Sequence, residues 1–237
     1  MRDQDFELLV CKDEYHFFDF GCSTGECIDY AYQTFNNPGT GLGIDISEKK
    51  IEMAREKGHA AIAFDILKIP DRKLVEFVTM SHFLEHLPSV KIADQFLRKA
   101  VVVAKQYVFI RQPFFDADGY LAQHGLKLYW SDWTGHPNKM TSLDFYLSLK
   151  KMKSEGLLSG FSINFVSKIP SSTHYVIHPL NSPIDQHWYD PAIHHHKKND
   201  ISLDNVFREI VVLVHVDKVE HSRFEMLSLD KEMISVE

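Results

Sequence analysis

The sequence is short of cysteine, of positive charge and of long apolar runs. Its three cysteines, Cys11, Cys22 and Cys27, show no CxxC spacing. That speaks against a disulfide framework, and reduced thiols in a cytoplasmic protein are expected. Lys and Arg number 26 against 33 Asp and Glu, a formal net charge of −7 with histidine neutral. Proteins that grip a polyphosphate backbone usually carry a basic footprint, so nucleic acid is not an expected partner. No run approaches the roughly 18 apolar residues of a membrane helix. Residues 1–15, MRDQDFELLVCKDEY, lack the charged-then-apolar order of a signal peptide. Internal repeats are absent, and HHHKK at 194–198 is the one biased tract.

What is present is an ordinary soluble composition, 44% hydrophobic and 25% charged over 237 residues. That length suits a single domain, 1–237, with room for an insertion. Short apolar runs alternate with helical periodicity. YHFFDF (15–20), LGIDI (42–46), AAIAFDI (60–66), EFVTMSHFL (76–84) and QYVFIRQP (106–113) read as buried strands. Between them, Ile28, Ala31, Tyr32 and Phe35 form one helical face, and Ile92, Phe96, Ala100 and Val103 another. Ser47 caps a helix over 48–57, with Gly58 at its end, and Thr141 with Asp144 opens one that runs to about 155. GFSINFVSKI (160–169) and VFREIVVLVHV (206–216) are the last two strands, with no helix between them. The pattern predicts an α/β fold, a mostly parallel sheet with helices on both faces and an antiparallel pair at one edge. Residues 170–205, rich in Pro and His, are longer than a connection needs and read as an insertion.

The first strand breaks into GCSTG (21–25). In open α/β sheets ligands bind beyond the carboxyl ends of the strands, and glycine lets a ligand approach the backbone. Asp45, twenty residues after Gly25, can accept from both hydroxyls of a ribose. Asp65 closes the third strand, where a carboxylate can accept from an adenine amino group. A dinucleotide fingerprint is G-x-G-x-x-G, whereas this turn reads Gly21-x-Ser23-x-Gly25 with Glu26 next to it. A carboxylate there would repel a pyrophosphate, so a ligand with an amine and a sulfonium fits better than NAD.

DFGCSTG, GIDIS, FDI and MSHFLEHLP together resemble the ordered motifs of class I S-adenosylmethionine-dependent methyltransferases, with Ser23 in place of the middle glycine. LEHLP (84–88) and GHPNKMTSLDFYL (135–147) resemble the subgroup that includes ubiquinone-biosynthesis methyltransferases. The resemblance covers about 15–165 and the last strand. It implies a Rossmann-like sheet of seven strands, the last antiparallel, and S-adenosyl-L-methionine as cofactor. It places Asp19, Gly21, Cys22 and Gly25 at the methionine end, Asp45 at the ribose, and Asp65 and Ile66 at the adenine, with Ser23 and Ile46 also among the cofactor-binding residues. Ser81 and His82 would face the methyl group.

A hydroxyl acceptor needs a base, and histidine is the usual choice. His82 is closest by topology and His136 second. Glu85 and His86 complete the catalytic candidates, while His124 is expected at the surface. HFLEH has H-x-x-E-H spacing. Some relatives, including small-RNA methyltransferases, place a divalent ion here but have Glu at the His82 position, so no metal is expected. The histidines at 194–196 read as a solvated loop. The expected activity is methyl transfer to an O or N atom of a small molecule such as a sugar, a phenol or a natural-product intermediate. RNA methylation, a silent binding module and an NAD-dependent oxidoreductase are the alternatives. Residues 170–205 are expected to fold over the pocket mouth and help select the acceptor.

Overall fold

The computed structural model describes residues 15–35, 38–197 and 200–217, and the backbone of 233–234. Cys11 and the other residues of 1–14 lie outside them. The order is β1 (Phe17–Phe20), α1 (Glu26–Thr34), β2 (Gly41–Asp45), α2 (Glu48–Glu56), β3 (Ala61–Ala63), β4 (Val75–Ser81), α3 (Val90–Val103) and β5 (Ala104–Pro113). There follow α4 (Asp118–Gln123), β6 (Leu126–Leu128), α5 (Ser142–Ser154), β7 (Gly160–Lys168), β8 (Ile177–Pro179), β9 (Phe207–His215) and β10 (Met233–Ile234).

The main sheet runs β10-β7-β9-β5-β4-β1-β2-β3. β1 to β5 are mutually parallel, and β9 is antiparallel to both β5 and β7. The last long strand is therefore threaded inside the sheet, and the two-residue β10 adds an eighth strand beyond the expected seven.

Both faces of the sheet are covered, which explains why β1 is buried at all four positions. Phe17 packs with Ile28 and Ala31 of α1 and Ile51 and Ala54 of α2. On that face it stacks on Phe77 at 4.8 Å, and Phe77 on Tyr107 at 4.7 Å. Phe18 and Phe20 point the other way, into the larger core with Leu97 of α3 and Phe145 of α5.

Both predicted caps form. Ser47 accepts from the Lys50 amide, and Thr141 and Asp144 make a reciprocal capping box. Gly58, just past α2, has φ +90°, which an L side chain resists.

Other expectations need correction. The third strand stops at Ala63, because Asp65 instead caps a 3-10 turn, Ile66–Lys68, its Oδ1 accepting from the Leu67 amide at 3.0 Å. The fourth stops at Ser81, because His82 turns left-handed with φ +50°. The centre of the α3 stripe is shifted by one residue: Ala93 and Leu97 are buried, while Ile92 and Phe96 are partly exposed. Tyr32 is also largely exposed, at the edge of its helix's buried face.

Residues 170–205 contain β8, which pairs antiparallel with β6 as a separate two-stranded sheet. Lys127 of β6 is buried and donates to the Ser182 carbonyl, and Thr134 bonds Asp185 through its amide and hydroxyl. His194, expected in a solvated loop, is buried with its ring 4.5 Å from that of His178.

Candidate functional site

The Gly-rich turn leaves β1 and enters α1 at the carboxyl edge of the sheet. Gly21 and Gly25 have φ of +72° and +92°. A Cβ on Gly21 would sit 2.1 Å from Phe83 Cδ2, and one on Gly25 would sit 2.2 Å from His59 Cδ2. Ser23 is itself left-handed, with φ +51°, which is costly for a residue with a side chain. It is held there because its amide donates to Asp45 Oδ2 at 3.1 Å. The Ser47 amide donates to Asp45 Oδ1 at 2.9 Å. A carboxylate has about four acceptor sites, so Asp45 keeps capacity for further donors. Replacing Gly25 by alanine adds both strain and a clash. Gly25→Ala should lower stability by about 1–3 kcal/mol, read as a lower thermal midpoint. An unchanged midpoint would mean the turn relaxes freely.

Asp19 is fully buried. Its Oδ1 accepts from the Thr79 hydroxyl at 2.7 Å, and Oδ2 has no partner among the described residues. Burial pushes its pKa up to about 7; the Thr79 bond opposes this, and the Asp45 charge adds to it. A buried, half-satisfied carboxyl is a natural neighbour for a cationic ligand. Burial also pushes both thiols up, Cys27 to about 12, so neither is a nucleophile at neutral pH. The Cys22 and Ile66 side chains are buried in the core, which leaves only their backbones to face a ligand. Ile46, just past β2, is 79% exposed, an apolar surface beside Asp45. Ser81 ends β4, buried, and its carbonyl accepts from Cys27 Sγ.

The catalytic candidates meet on the other side of β4. A cavity of about 350 Å³ is lined by His82, Glu85, His86 and His136, by the rings of Tyr129, Trp133 and His187, and by Arg208 and Glu209. His187 brings the insertion to the cavity, its ring 4.5 Å from that of Trp133. His124 caps the end of α4, exposed and outside this group.

His82 does not have the setting of a base. Its Nδ1 faces Glu85 Oε1 at 3.2 Å and its Nε2 faces Glu209 Oε1 at 3.0 Å. Burial alone would lower its pKa, but the hydrogen bonds to Glu209 and Glu85 and their charges outweigh burial and push it up to about 9. At neutral pH it is an imidazolium that donates from both nitrogens, with no lone pair left. Its side chain is 42% exposed, so water screens part of the effect. A histidine pKa raised on folding stabilises below the unfolded value and loses that contribution as pH rises through the folded one. Wild type should therefore lose thermal stability from about pH 6.5 to above pH 9, and His82→Gln should flatten that slope. Parallel slopes would contradict the bridge.

His86 and His136 are set differently. His86 Nδ1 donates to the Gly135 carbonyl at 2.7 Å and His136 Nδ1 to the Trp130 carbonyl at 3.2 Å. Each bond selects the Nδ1–H tautomer of the neutral ring. Burial lowers the His136 pKa, against the pull of the Glu85 charge and the Trp130 bond, so this ring is neutral at pH 7. Glu85 is fully buried with Oε2 unpartnered among the described residues. One ligand atom each from Glu85, His86 and His136 lies within 4.8 Å of the others.

The sequence reading missed Arg111, Arg208 and Glu209. Arg111 of β5 binds Glu209 Oε2 through Nε at 2.9 Å and a terminal nitrogen at 2.8 Å. The signal was present: charges interrupt FIRQ and VFREI, two otherwise apolar strands.

Residues 18–108 match the family model of the methyltransferase domain. Over those residues the chain matches a methyltransferase domain, and its sheet has the fold of S-adenosylmethionine-dependent methyltransferases. The fold agrees with solved structures of low sequence identity. A SAM-dependent methyltransferase from Archaeoglobus fulgidus has TM-score 0.56 at 15% identity, covering 90% of this chain and 94% of that one. The YcgJ protein of Bacillus subtilis has TM-score 0.55 at 14% identity, covering 92% and 100%. A possible histamine N-methyltransferase from Thermotoga maritima has TM-score 0.52 at 14% identity, covering 89% and 88%. No curated protein matches this sequence. Among the described residues no helix is long and apolar enough to cross a membrane.

Proposed function

We propose that this methyltransferase transfers a methyl group to an oxygen or nitrogen of a small molecule held in the 350 Å³ cavity, with His136 as the base. One observation carries the reading. A neutral histidine, its Nδ1 tied to a carbonyl, opens into a small aromatic-walled space next to the ends of β4 and β9. Pockets of roughly 300–1,000 Å³ suit small ligands, and this one is at the small end. The net charge of −7 supports a small acceptor over RNA.

S-adenosylmethionine supplies a methyl group already activated by its sulfonium, so the protein's task is positioning. Asp45 would accept the ribose hydroxyls with its remaining lone pairs. Gly21, Ser23 and Gly25 keep the backbone open, and Asp19 with the Cys22 backbone would hold the cationic methionine end. Ile46 and the Asp65–Ile66 turn would hold the nucleoside base. Ser81 ends the strand between the two half-sites. His82, Glu85 and Glu209 brace the acceptor side, and His136 Nε2 takes the acceptor's proton.

A second reading is favoured by the tethered pair His86 and His136. Each donates Nδ1–H to a carbonyl and leaves Nε2 free, the outer-shell arrangement that orients metal-bound histidines. With the unpartnered Oε2 of Glu85 they fit a divalent cation, which would supply Lewis acidity to an acceptor hydroxyl. Radiolabelled methyl transfer tests both readings, with panels of phenols, amines and sugars beside transfer RNA and short RNA. Transfer confined to RNA would overturn the small-molecule reading. Turnover unchanged after EDTA dialysis supports His136 acting alone. Turnover lost with EDTA and restored by Mg²⁺ or Mn²⁺ supports the cation.

A further inference from the structure

The two carboxylates that line the cavity already have partners. The Glu209 carboxylate is held by Arg111 and His82, and Glu85 shares His82. Arg208 also lines the cavity, yet it makes no ion pair among the described residues. Its guanidinium lies 5.7 Å from the Tyr175 ring, a contact that leaves its hydrogen-bonding edge unused. Arg208 is thus a cavity-lining guanidinium that no carboxylate of the described residues meets.

A guanidinium offers a planar fork of donors that matches a carboxylate in two parallel bonds. Beside it stand Tyr129, Trp133 and His187, with ring centroids 5.1 Å apart for Tyr129–His187 and 4.5 Å for Trp133–His187. That wall suits a flat ring. At about 30 Å³ per water, the cavity holds about a dozen waters' worth of volume, enough for one ring with a carboxyl group.

From this we infer that the acceptor is a small aromatic carboxylate, anchored by Arg208 and stacked on the Tyr129–Trp133–His187 wall. Arg208 determines which acceptor binds and takes no part in the transfer. The inference rests on the proposed small-acceptor function and names its substrate class. Arg208 and His136 line the same cavity, so an acceptor anchored at the first lies in the space that the second opens into.

Benzoate and benzamide have the same shape and differ in charge. Their affinities for the protein saturated with S-adenosylhomocysteine can be read by ligand-observed NMR titration. Benzoate should bind at least tenfold more tightly, and Arg208→Gln should erase the difference. Arg208→Lys, which keeps the charge without the fork, should retain part of it and serves if the glutamine variant does not fold. Undetectable benzoate binding, equal affinities in wild type, or a full preference in Arg208→Gln each overturns the inference. S-adenosylhomocysteine affinity is measured on the same samples. Its loss in wild type would strike the donor site and the proposed function, whereas its retention with no benzoate preference strikes this inference alone.

Discussion

Asp45→Ala should weaken S-adenosylhomocysteine binding by about 2–4 kcal/mol, roughly 30- to 900-fold. Two losses combine. The ribose hydroxyls lose a charged acceptor, and the Ser23 and Ser47 amides lose their partner. Ser23 at φ +51° depends on that bond to stay left-handed, so the Gly-rich turn should also become less fixed. Asp45→Asn separates the effects, since an amide oxygen can still accept from Ser23 while the charge is gone. The asparagine variant should fall between wild type and alanine. Calorimetric titration checks this, and wild-type affinity in a folded Asp45→Ala protein would remove Asp45 from the site.

His136→Gln should lower turnover roughly 10²–10⁴-fold while leaving S-adenosylhomocysteine affinity unchanged. The split follows from its place: His136 lies in the acceptor cavity, with its ring held by the Nδ1 bond to the Trp130 carbonyl. Burial holds its pKa below the ordinary histidine value. The wild-type rate should therefore climb with pH below neutrality and be level above it. A rate that climbs through pH 9 would instead implicate a group with a raised pKa, such as His82. Full turnover in the folded variant would end the case for His136. His82→Gln should act mainly through stability and acceptor affinity, because that ring already donates from both nitrogens.

The contrast between these two histidines shows what could be read from the sequence. Topology put His82 nearest the methyl group, which favoured it as the base. Its protonation is decided by Glu209, on a strand that begins more than a hundred residues later, and no local pattern carries that contact. His136 could be ranked only by its segment. The strands of the parallel sheet were legible because burial on both faces makes each one a continuous apolar run, as FFDF does. Caps were legible because the hydrogen bonds of Ser47, Thr141 and Asp144 are local.

The small β6–β8 sheet was not legible. Each strand has three residues, too few for a period, and the pairing of Leu126–Leu128 with Ile177–Pro179 spans most of the acceptor-side elements. Asp19, Gly21, Gly25 and Asp45 could be singled out because a turn with positive φ and an acidic strand end leave marks in residue type. Arg208 and Glu209 left a mark too, as charges in an apolar strand, but their partners came only with the fold.

The most direct test of the account is a crystal structure of the protein soaked with S-adenosylhomocysteine. The ribose hydroxyls should lie within hydrogen-bonding distance of the Asp45 carboxylate, the adenine against Ile46 and the Asp65–Ile66 turn, and the sulfur beside Ser81, facing the cavity that His136 lines. A nucleoside bound elsewhere, or lying over the Gly21–Gly25 turn without touching Asp45, would contradict it.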